Sequence, residues 1–490
     1  MGSIMPLANW QEDILKQGEL YYVGGAVRDR LLGVESAAPD ADYLVRGVPP
    51  EALERLLAEH GNVQLVGKSF GVYKFTPGCK KRKAHAKAEA RKSEDPGPPT
   101  EDGLKMPHST QSHAKQTVDI AYPRKEACTG PGHRDFRVEF DWTLPIEADL
   151  ERRDFTINAI AENIRDGTIV DPLHGADDLR QRLLRMVFPE AFEEDALRIL
   201  RGARFKARFG LTLDSATREA MRRGVAHLAQ LSPERVQEEF AKLLTQCGKP
   251  STGFELLQDI GALDVVFPEL ARCAGVTQNE YHPDDVFVHS LKSCDCAPQD
   301  RLEVRWAALL HDLGKVDRKM TVEEQGKEPR VVFYGHEDEG VMITRRVLTR
   351  LRCSNALIDS VQHLVAHHMF DYTPDWSDAG VRRFIRKVGE EHLENLFLLR
   401  EADCCSRGLT DSIAELRELK DRIKEQCHKD SAFKVTDLAV KGGDLMDALG
   451  IEQGKTIGRV LAELLEAVLA DPSLNKKDQL IELARKLHPN

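Results

Sequence analysis

The order of apolar and polar positions in the first 75 residues predicts short strands that alternate with amphipathic helices. The segment GAVRDRLLG predicts a helix that ends at Gly33, and PEALERLLAEHG predicts an amphipathic helix that begins after Pro50. The predicted strands are LYYVG, DADYLVRG, NVQLVG, FGVYKF and, further along the chain, QTVDIAYP. Together these elements predict a small mixed sheet with helices.

Residues 77–116 interrupt the predicted strands and differ from them in composition. This insertion has almost no large apolar residue, many Lys and Arg, and a cluster of Pro and Gly. Such a segment cannot bury enough apolar surface to offset the entropy of ordering it, so we expect it to be disordered or weakly helical. Contact with RNA and a tolerated surface insertion both stay open as its role.

From about residue 147 onward the pattern is mainly helical. EEDALRILRGARFKARFG predicts one strong helix that stops at Gly210, and SPERVQEEFAKLL predicts a helix with Ser232 as its N-cap. A histidine-rich helical block extends from about 281 to 410, and two or three amphipathic helices are expected in 411–490. The chain is therefore predicted to be α+β, with a mixed amino-terminal part and an all-α remainder.

Composition and charge limit the class of protein. Charged residues make up 30% of the chain, and no apolar run approaches the ~20 residues that cross a bilayer, so we expect no membrane partner. The first residues lack a signal-peptide pattern and the ten cysteines are scattered, so we expect a cytoplasmic protein with reduced thiols. A net charge of −11 excludes a surface coated with positive charge. The dense arginines between Arg180 and Arg223 form either a solvated helical face or phosphate contacts to RNA.

Asp40 and Asp42 are the most informative polar residues of the predicted sheet. Residues i and i+2 of a strand point to the same face, where two carboxylates repel each other unless a cation lies between them. Asp119, on a later strand, supplies a third candidate carboxylate. The candidate phosphate contacts just upstream, through backbone N–H groups and a guanidinium, are Gly24, Gly25 and Arg28. This combination predicts nucleotidyl transfer, in which Mg²⁺ ions activate a 3′-hydroxyl and stabilise the leaving pyrophosphate.

The segment ERRDFTINAIA carries further candidate nucleotide contacts. Arg152, Arg153 and Asp154 stand just before a helix-like apolar run. Asn158 is an unusual residue inside that run and suggests hydrogen bonding to a sugar or phosphate. The structural alternative is a helix entrance with Asp154 as its cap.

Asp195 and Arg198 are predicted to be neighbours on one face of a helix. They form either a plain salt bridge or a device that selects a base. Cytosine and adenine each present an amino donor beside a ring-nitrogen acceptor, which one carboxylate and one guanidinium match. Guanine and uracil present the opposite order, so a fixed pair would refuse them without a nucleic-acid template.

A second group of candidate ligands lies in the histidine-rich block. The doublet His311-Asp312 closes an apolar run and is followed by Gly-Lys, which is unusual for a core or surface histidine. Histidine and aspartate at these separations converge on a metal when helices pack together. The other candidates are His289, Asp403, His336 and His368.

The motifs YYVGGAVRDRLLG, DADYLVRG, ERRDFTINAIA, DPLHGADDLRQRLLR and EEDALRILRGARFKARFG resemble, in order, those of class II tRNA nucleotidyltransferases and poly(A) polymerases. The resemblance covers about 20–270 and implies a polymerase-β-like head followed by helical neck, body and tail domains. It implies Mg²⁺ on Asp40 and Asp42, with Asp119 as a further carboxylate. The implied nucleotide contacts are Arg152 and Asp154, with Asp195 and Arg198 selecting the base and Arg201 contacting the triphosphate. The stretch 123–145 would be a mobile loop that helps switch from C to A addition.

The order H…HD…D resembles the HD phosphohydrolase superfamily and the HD domain fused to some bacterial CCA-adding enzymes. This resemblance implies a divalent-metal set of His289, His311, Asp312 and Asp403, with His336 and His368 as extra ligands. The metal would be Ni, Mn, Co or Fe, or Mg²⁺. The implied activity is phosphatase or 2′,3′-cyclic phosphodiesterase, and the alternative is a retained domain that only helps to hold tRNA.

The sequence thus predicts a tRNA nucleotidyltransferase that adds CCA to tRNA 3′ ends from CTP and ATP. The predicted domains are a head (1–146), a helical neck and body that binds tRNA (147–275), an HD domain (276–410) and a tRNA-binding tail (411–490). A CC-adding or A-adding enzyme and a poly(A) polymerase remain as alternatives. A third alternative is an HD phosphohydrolase with a non-catalytic RNA-binding head.

Overall fold

A computed structural model describes residues 7–34, 42–66, 71–78, 117–128, 136–279, 283–323, 329–428 and 433–488. The chain divides into two compact units. The amino-terminal unit comprises Met1–Arg198 and Leu211–Ala220, and the carboxy-terminal unit comprises Ile199–Gly210 and Met221–Asn490. Across these described ranges, no helix combines the length and the apolar character that crossing a membrane requires.

A seven-stranded sheet organises the amino-terminal unit. Its strands and those of two smaller sheets are, in chain order, β1 (Glu19–Val23), β2 (Asp42–Arg46), β3 (Gly61–Val66), β4 (Val72–Pro77), β5 (Val118–Ala121), β6 (Arg124–Cys128), β7 (Phe136–Phe140), β8 (Ala161–Asn163), β9 (Ile169–Val170), β10 (Leu183–Leu184) and β11 (Thr212–Leu213). The order across the main sheet is β3-β4-β5-β2-β1-β8-β9. Only β2 and β5 pair in parallel within it, and β6 and β7 form a separate hairpin.

The first eight helices are α1 (Asn9–Gln17), α2 (Gly25–Leu31), α3 (Pro50–His60), α4 (Ile146–Leu150), α5 (Gly175–Arg180), α6 (Ala191–Glu194), α7 (Leu197–Phe209) and α8 (Ser215–Gly224). The sheet has a core on each face because its strands alternate between them. One core joins Tyr43 and Val45 of β2 to Ile14 of α1 and Leu53 of α3. The opposite core contains Leu44 of β2, together with buried residues of α4 and β8.

Among its described residues, the carboxy-terminal unit is helical apart from one short hairpin. Its helices are α9 (Pro233–Gln246), α10 (Ser251–Asp259), α11 (Leu263–Val266), α12 (Pro268–Ala271), α13 (Val286–Cys296), α14 (Leu302–Leu310), α15 (Lys315–Arg318), α16 (His336–Arg350), α17 (Asn355–His367), α18 (Asp378–Val388), α19 (Glu390–Arg407), α20 (Thr410–His428), α21 (Gly442–Leu449), α22 (Lys455–Ala470) and α23 (Lys477–Leu487). The hairpin pairs β12 (Met320–Val322) with β13 (Arg330–Val332). The predicted α+β class is therefore confirmed.

Two local predictions are wrong. The single helix predicted up to Gly210 is interrupted, because Asp195 is extended (φ −139°, ψ 98°) and separates α6 from α7. Its carboxylate accepts a hydrogen bond from the N–H of Leu197, which replaces a helical backbone bond. The run after Asp154 is not a helix but a 3₁₀ turn, Thr156–Asn158, followed by β8.

The expectation that the cysteines are reduced thiols is wrong for two of them. Cys296 at the end of α13 and Cys405 on α19 form a disulfide, with their Cα atoms 6.2 Å apart. Scattered positions gave no sign of this pair, because a separation of 109 residues is closed only by helix packing.

Two other predictions fall partly or wholly outside the described residues. Of the insertion 77–116, Pro77 ends β4 and Gly78 follows it, whereas 79–116 is not described. In the stretch 123–145, the described residues include β6 and β7, which pair with each other.

Candidate active sites of the two units

One end of the main sheet brings together the predicted glycine turn and two of the three predicted carboxylates. Val23, the last residue of β1, pairs with Asp42, the first residue of β2. Asp42 in turn pairs with Asp119 of β5 in parallel register, so both carboxylates leave the same face of the sheet. This is the face of Leu44, opposite α1 and α3. Asp40 lies outside the described residues.

The turn between β1 and α2 requires glycine at its first position. Gly24 has φ +64°, and a Cβ atom there would lie 2.8 Å from Nη1 of Arg153. The N–H of Gly24 donates to the carbonyl of Ile160, which ties the turn to the segment after the 3₁₀ turn. Gly25 begins α2. The glycine pair thus follows directly on the strand that pairs with Asp42.

A buried polar chain extends from this turn to the ERRDFTINAIA segment. Nη1 of Arg28 donates to Oδ1 of Asn158 at 2.6 Å, and Nδ2 of Asn158 donates to Oδ1 of Asp154 at 2.9 Å. Arg28 is also paired with Asp29. Only 5–7% of Arg28, Asn158 and Asp154 is exposed, so the three predicted nucleotide contacts form one internal network.

Asp149, which sequence reasoning missed, holds two of the predicted arginines. Arg152 donates to its Oδ1 at 2.5 Å, and Arg153 donates to its Oδ2 at 2.9 Å. Burial disfavours the charged form of this fully buried carboxyl, but Arg153 and Arg152 outweigh burial and lower its pKa. The signal was present in the sequence, because arginines three and four residues after an aspartate return to the same face of a helical turn.

The predicted base-selecting residues lie at the start of α7. The side chain of Arg198 is 12% exposed, and its guanidinium lies 3.6 Å from a carboxylate oxygen of Glu194 and 5.3 Å from the ring centre of Phe188. The guanidinium also donates to the carbonyl oxygens of Ala191 and Arg152. The carbonyl of Asp195 accepts the N–H of Arg198 at 3.0 Å. Asp195 and Arg198 are therefore held close together, although Asp195 precedes the helix instead of lying within it. Arg201 follows one turn later on α7.

In the carboxy-terminal unit, packed helices bring all six predicted metal ligands together. His289 lies on α13 and Asp403 on α19. The other four lie at helix ends: His311 and Asp312 follow α14, His336 begins α16, and His368 follows α17. All six side chains are buried. We call them the HD cluster.

Asp312 is the shared centre of the HD cluster. Its Oδ2 lies 3.2 Å from Nε2 of His289 and 3.2 Å from Nε2 of His311. Its Oδ1 lies 3.4 Å from Nε2 of His336 and 3.8 Å from Nε2 of His368. Two groups with metal-binding spacing therefore share this one carboxylate. Asp403 adds an oxygen 3.3 Å from Nε2 of His289.

Backbone contacts fix which histidine nitrogens face Asp312. Nδ1 of His311, His336 and His368 lies 2.8, 2.9 and 2.7 Å from a backbone carbonyl, which requires that nitrogen to carry the proton. Nε2 then holds a lone pair directed into the cluster. Nε2 of His336 and of His368 has no hydrogen-bond partner within the described ranges, although both atoms are buried. Buried lone pairs beside carboxylates fit a divalent metal.

The ionisation states of His368 and Asp312 also suit a metal, whereas burial is outweighed at His289, where hydrogen bonds to Asp312 and Asp403 raise the pKa. Burial, followed by the neighbouring His311, lowers the pKa of His368 to about 3, so its imidazole is neutral at pH 7. Burial disfavours the charged form of Asp312, but His311 and Lys315 outweigh burial and hold its pKa well below the usual range. Neutral imidazoles and ionised carboxylates are the forms that bind metals.

A cavity of about 440 Å³ opens beside the HD cluster; we call it the metal cavity. Its lining includes three cationic side chains that sequence reasoning had not assigned. Nζ of Lys315 donates to Oδ2 of Asp312, and Arg400 and Arg407 donate to Oδ2 of Asp403. Arg400 lies three residues before Asp403 and Arg407 four residues after it on α19. This spacing, which places all three on one helix face, was visible in the sequence. Cations around a metal cluster suit a phosphate-bearing ligand.

Family models match three parts of the chain. The poly(A) polymerase head domain matches residues 20–185, and the RNA- and SrmB-binding site of polymerase A matches 210–273. The tRNA nucleotidyltransferase domain 2 matches 341–484.

Curated relatives with the same name match most of the chain. A multifunctional CCA protein of Pasteurella multocida is 37% identical over 71% of this chain and 74% of the relative. The multifunctional CCA protein of Thioalkalivibrio sulfidiphilus is 34% identical over 90% of this chain and 95% of the relative.

Solved structures share the fold. The chain is similar to the Bacillus stearothermophilus CCA-adding enzyme in complex with CTP, with a TM-score of 0.65 at 22% identity over 98% of each chain. It is also similar to the Thermotoga maritima CCA-adding enzyme complexed with tRNA, with a TM-score of 0.52 at 19% identity over 98% of this chain and 93% of that one.

Proposed function

Because the chain belongs to the family of multifunctional CCA proteins, we propose that it is a tRNA nucleotidyltransferase that adds C, C and A to tRNA 3′ ends from CTP and ATP. The observation that carries this proposal is the register of the main sheet. It aligns Asp42, Asp119 and the glycine turn after Val23 at one end of neighbouring strands. Carboxylates beside a phosphate-binding turn are what transfer of a nucleotide requires.

Asp42 and Asp119, with Asp40, are the groups proposed to hold Mg²⁺. Nucleotidyltransferases of this family use divalent metals, generally Mg²⁺. When bound, the metal would stabilise the negative charge on the attacking and leaving oxygens. Asp42 would orient the tRNA 3′-hydroxyl for in-line attack on the α-phosphate. Gly24 supplies the positive φ of the turn, and the N–H of Gly25 at the start of α2 would bind the β- and γ-phosphates, which leave as pyrophosphate.

Base selection is proposed for Asp195 and Arg198. Arg198 is supported by two carbonyl oxygens and by Phe188, and a fixed guanidinium is what discrimination between bases demands. The network of Asp154, Asn158 and Arg28 would position Arg152 against the sugar or triphosphate of the nucleotide. The helical segments 147–275 and 411–490 are proposed to hold tRNA by salt-sensitive phosphate contacts.

Extension of a labelled tRNA that lacks its terminal CCA tests this function. We expect two added nucleotides with CTP alone and three with CTP and ATP. Growth that stops after CC in both cases would identify a CC-adding enzyme, and growth only on a tRNA ending in CC would identify an A-adding enzyme. A long ladder with ATP alone would identify a poly(A) polymerase. No extension under any condition would contradict the proposal.

A second function, metal-dependent phosphohydrolysis, is proposed for the HD cluster. The supporting observation is the pair of ligand groups that share Asp312, with the histidine lone pairs directed between them. A divalent metal held there would make bound water a nucleophile at neutral pH. Lys315, Arg400 and Arg407 would orient a phosphoester in the metal cavity, and the expected reactions are those of a 2′,3′-cyclic phosphodiesterase or a phosphatase.

Metal removal and restoration test the second function. Protein treated with EDTA should lose hydrolysis of a nucleoside 2′,3′-cyclic phosphate and regain it with one of Ni²⁺, Mn²⁺, Co²⁺, Fe²⁺ or Mg²⁺. The metal that restores the highest rate identifies the cofactor. If no metal restores hydrolysis, the HD cluster serves only to hold the helices together, as a retained domain that supports tRNA binding would.

A further inference from the structure

A second cavity lies next to the metal cavity in the carboxy-terminal unit. It has a volume of about 300 Å³ and is lined by the aromatic side chains of Phe370, Trp376 and Phe384, together with Met369 and Lys387. We call it the aromatic cavity. Its volume is at the lower end of the range for small-molecule sites, which suits a group the size of a nucleoside.

Met369 lies in the wall between the two cavities. It lines both cavities and is 57% exposed, so its side chain is accessible to a ligand. Arg400 lines the metal cavity, and its guanidinium carbon lies 5.9 Å from the ring centre of Phe370, which lines the aromatic cavity. His368 of the HD cluster directly precedes Met369. A ligand with its phosphate at the HD cluster therefore has the aromatic cavity within reach of its other end.

The aromatic side chains form a connected surface. The ring centres of Phe370 and Phe384 are 5.0 Å apart, and those of Trp376 and Phe384 are 5.7 Å apart. Phe370 and Trp376 are only half-buried, so part of each ring stays accessible. Such surfaces bind nucleobases by stacking, with little dependence on the identity of the base.

The charged groups of the aromatic cavity suit the rest of a nucleotide. Lys387 is exposed and has no ion-pair partner within the part of the chain that the structure describes. Arg383, one turn earlier on α18, is partly neutralised by Glu466 at 3.2 Å. Asp371 is the single carboxylate in the lining, and it can accept a hydrogen bond from a base amino group.

We propose that the aromatic cavity holds the nucleoside of the phosphoester that the HD cluster hydrolyses, so that Trp376, Phe370 and Met369 determine how strongly this site prefers nucleotides to phosphoesters without a base. The inference rests on the proposed phosphohydrolase function. Trp376 and Phe370 stack on the base, Met369 covers the ribose, and Lys387 contacts the next phosphate of an RNA strand. These residues act on specificity and not on the chemical step.

Two phosphomonoesters that differ in the nucleoside test this proposal. Adenosine 2′-phosphate and glycerol 2-phosphate both carry phosphate on a secondary carbon, but only the first has a base. In the full-length protein with its restoring metal, Trp376→Ala should lower kcat/KM for adenosine 2′-phosphate about tenfold, as loss of one stacked base implies. The kcat/KM of the same variant for glycerol 2-phosphate should stay within about twofold of the wild-type value. Equal losses on both substrates, or no loss on either, would overturn the proposal.

Two further variants protect the test from a folding defect at Trp376. Met369→Ala changes an exposed side chain, and we expect the same selective loss, by about threefold. Lys387→Ala should lower kcat/KM for a dinucleotide that ends in a 2′,3′-cyclic phosphate but not for the mononucleotide. Lys16→Ala, which removes an exposed lysine of the amino-terminal unit, should change neither.

The failure of this inference and that of the phosphohydrolase proposal are distinguishable. If the wild-type protein hydrolyses neither of these phosphomonoesters nor a nucleoside 2′,3′-cyclic phosphate with any metal, the phosphohydrolase proposal fails. Calorimetric binding of adenosine 2′-phosphate then tests the cavity alone. Binding that Trp376→Ala and Met369→Ala weaken, and Lys16→Ala does not, would support a nucleoside site. Absent binding, or binding that is equal in all variants, would contradict it.

Discussion

At the scale of single residues, Asp42 has the clearest consequence in the amino-terminal unit. Asp42→Asn keeps the size of the side chain but removes one proposed metal ligand. We expect the extension rate to fall by roughly 10³-fold, because the charge stabilisation lost with a metal is worth several kcal/mol. Binding of tRNA, measured by a gel shift, should stay nearly unchanged. Glu59→Gln removes one exposed carboxylate of the same unit and is the control. Normal extension by the Asp42 variant would remove the metal assignment.

Asp149 is a residue whose role is structural and depends on pH. Its pKa is lowered in the folded protein, so its pairing with Arg152 and Arg153 stabilises the fold above the ordinary carboxyl pKa. That contribution is lost as the pH falls through the lowered value. Asp149→Asn should cost about 3 kcal/mol in urea unfolding at pH 7, since it leaves two arginines without their buried partner.

The pH dependence supplies the check on this assignment. The difference in unfolding free energy between wild type and Asp149→Asn should become smaller below pH 4, because protonation of Asp149 removes the same charge in the wild type. A difference that stays constant from pH 7 to pH 3 would show that the cost at pH 7 comes from packing and not from the ion pairs.

At the scale of elements, the helices α13 and α19 are joined by the disulfide between Cys296 and Cys405. A cross-link between residues so far apart in sequence restricts the unfolded chain, and such cross-links typically contribute about 2–4 kcal/mol. Reduction with dithiothreitol should therefore lower the unfolding temperature of the wild type. Cys296→Ser should show the same lower temperature with and without reductant.

Two measurements separate this effect from unspecific thiol chemistry. Cys427→Ser, which removes a cysteine that is not in a disulfide, should keep the response to reductant. Thiol counting under denaturing conditions should find two more reactive cysteines after reduction. Equal counts before and after reduction would contradict the disulfide.

The elements also show how far the sequence determines the fold. Hydrophobic alternation predicted β1 to β5, α2 and α3, because these elements bury one face each. It failed at Asp195 and at Thr156–Asn158, where side-chain hydrogen bonds and buried polar contacts override periodicity. The HD cluster was predicted as a set of ligands. Its arrangement around Asp312, and the cationic wall of the metal cavity, depend on helix packing that no local pattern records.

At the scale of the whole molecule, the two proposed sites lie in different units. Asp42 belongs to the amino-terminal unit and Asp312 to the carboxy-terminal unit. We expect Asp312→Asn to abolish hydrolysis of a 2′,3′-cyclic nucleotide while tRNA extension stays within about twofold of the wild type. Asp42→Asn should give the reverse pattern. Loss of both activities in either variant, with normal unfolding, would contradict independent sites.

The boundary between the units has a consequence for the gene. The chain passes from one unit to the other after Arg198, returns at Leu211 and leaves again after Ala220. The amino-terminal unit needs Leu211–Ala220, since Thr217 accepts a hydrogen bond from the N–H of Met186 and β11 pairs with β10. The carboxy-terminal unit needs Ile199–Gly210, since Arg204 in that segment forms a buried ion pair with Glu239. No single split of the reading frame separates the two units, so we expect one gene to encode both proposed activities.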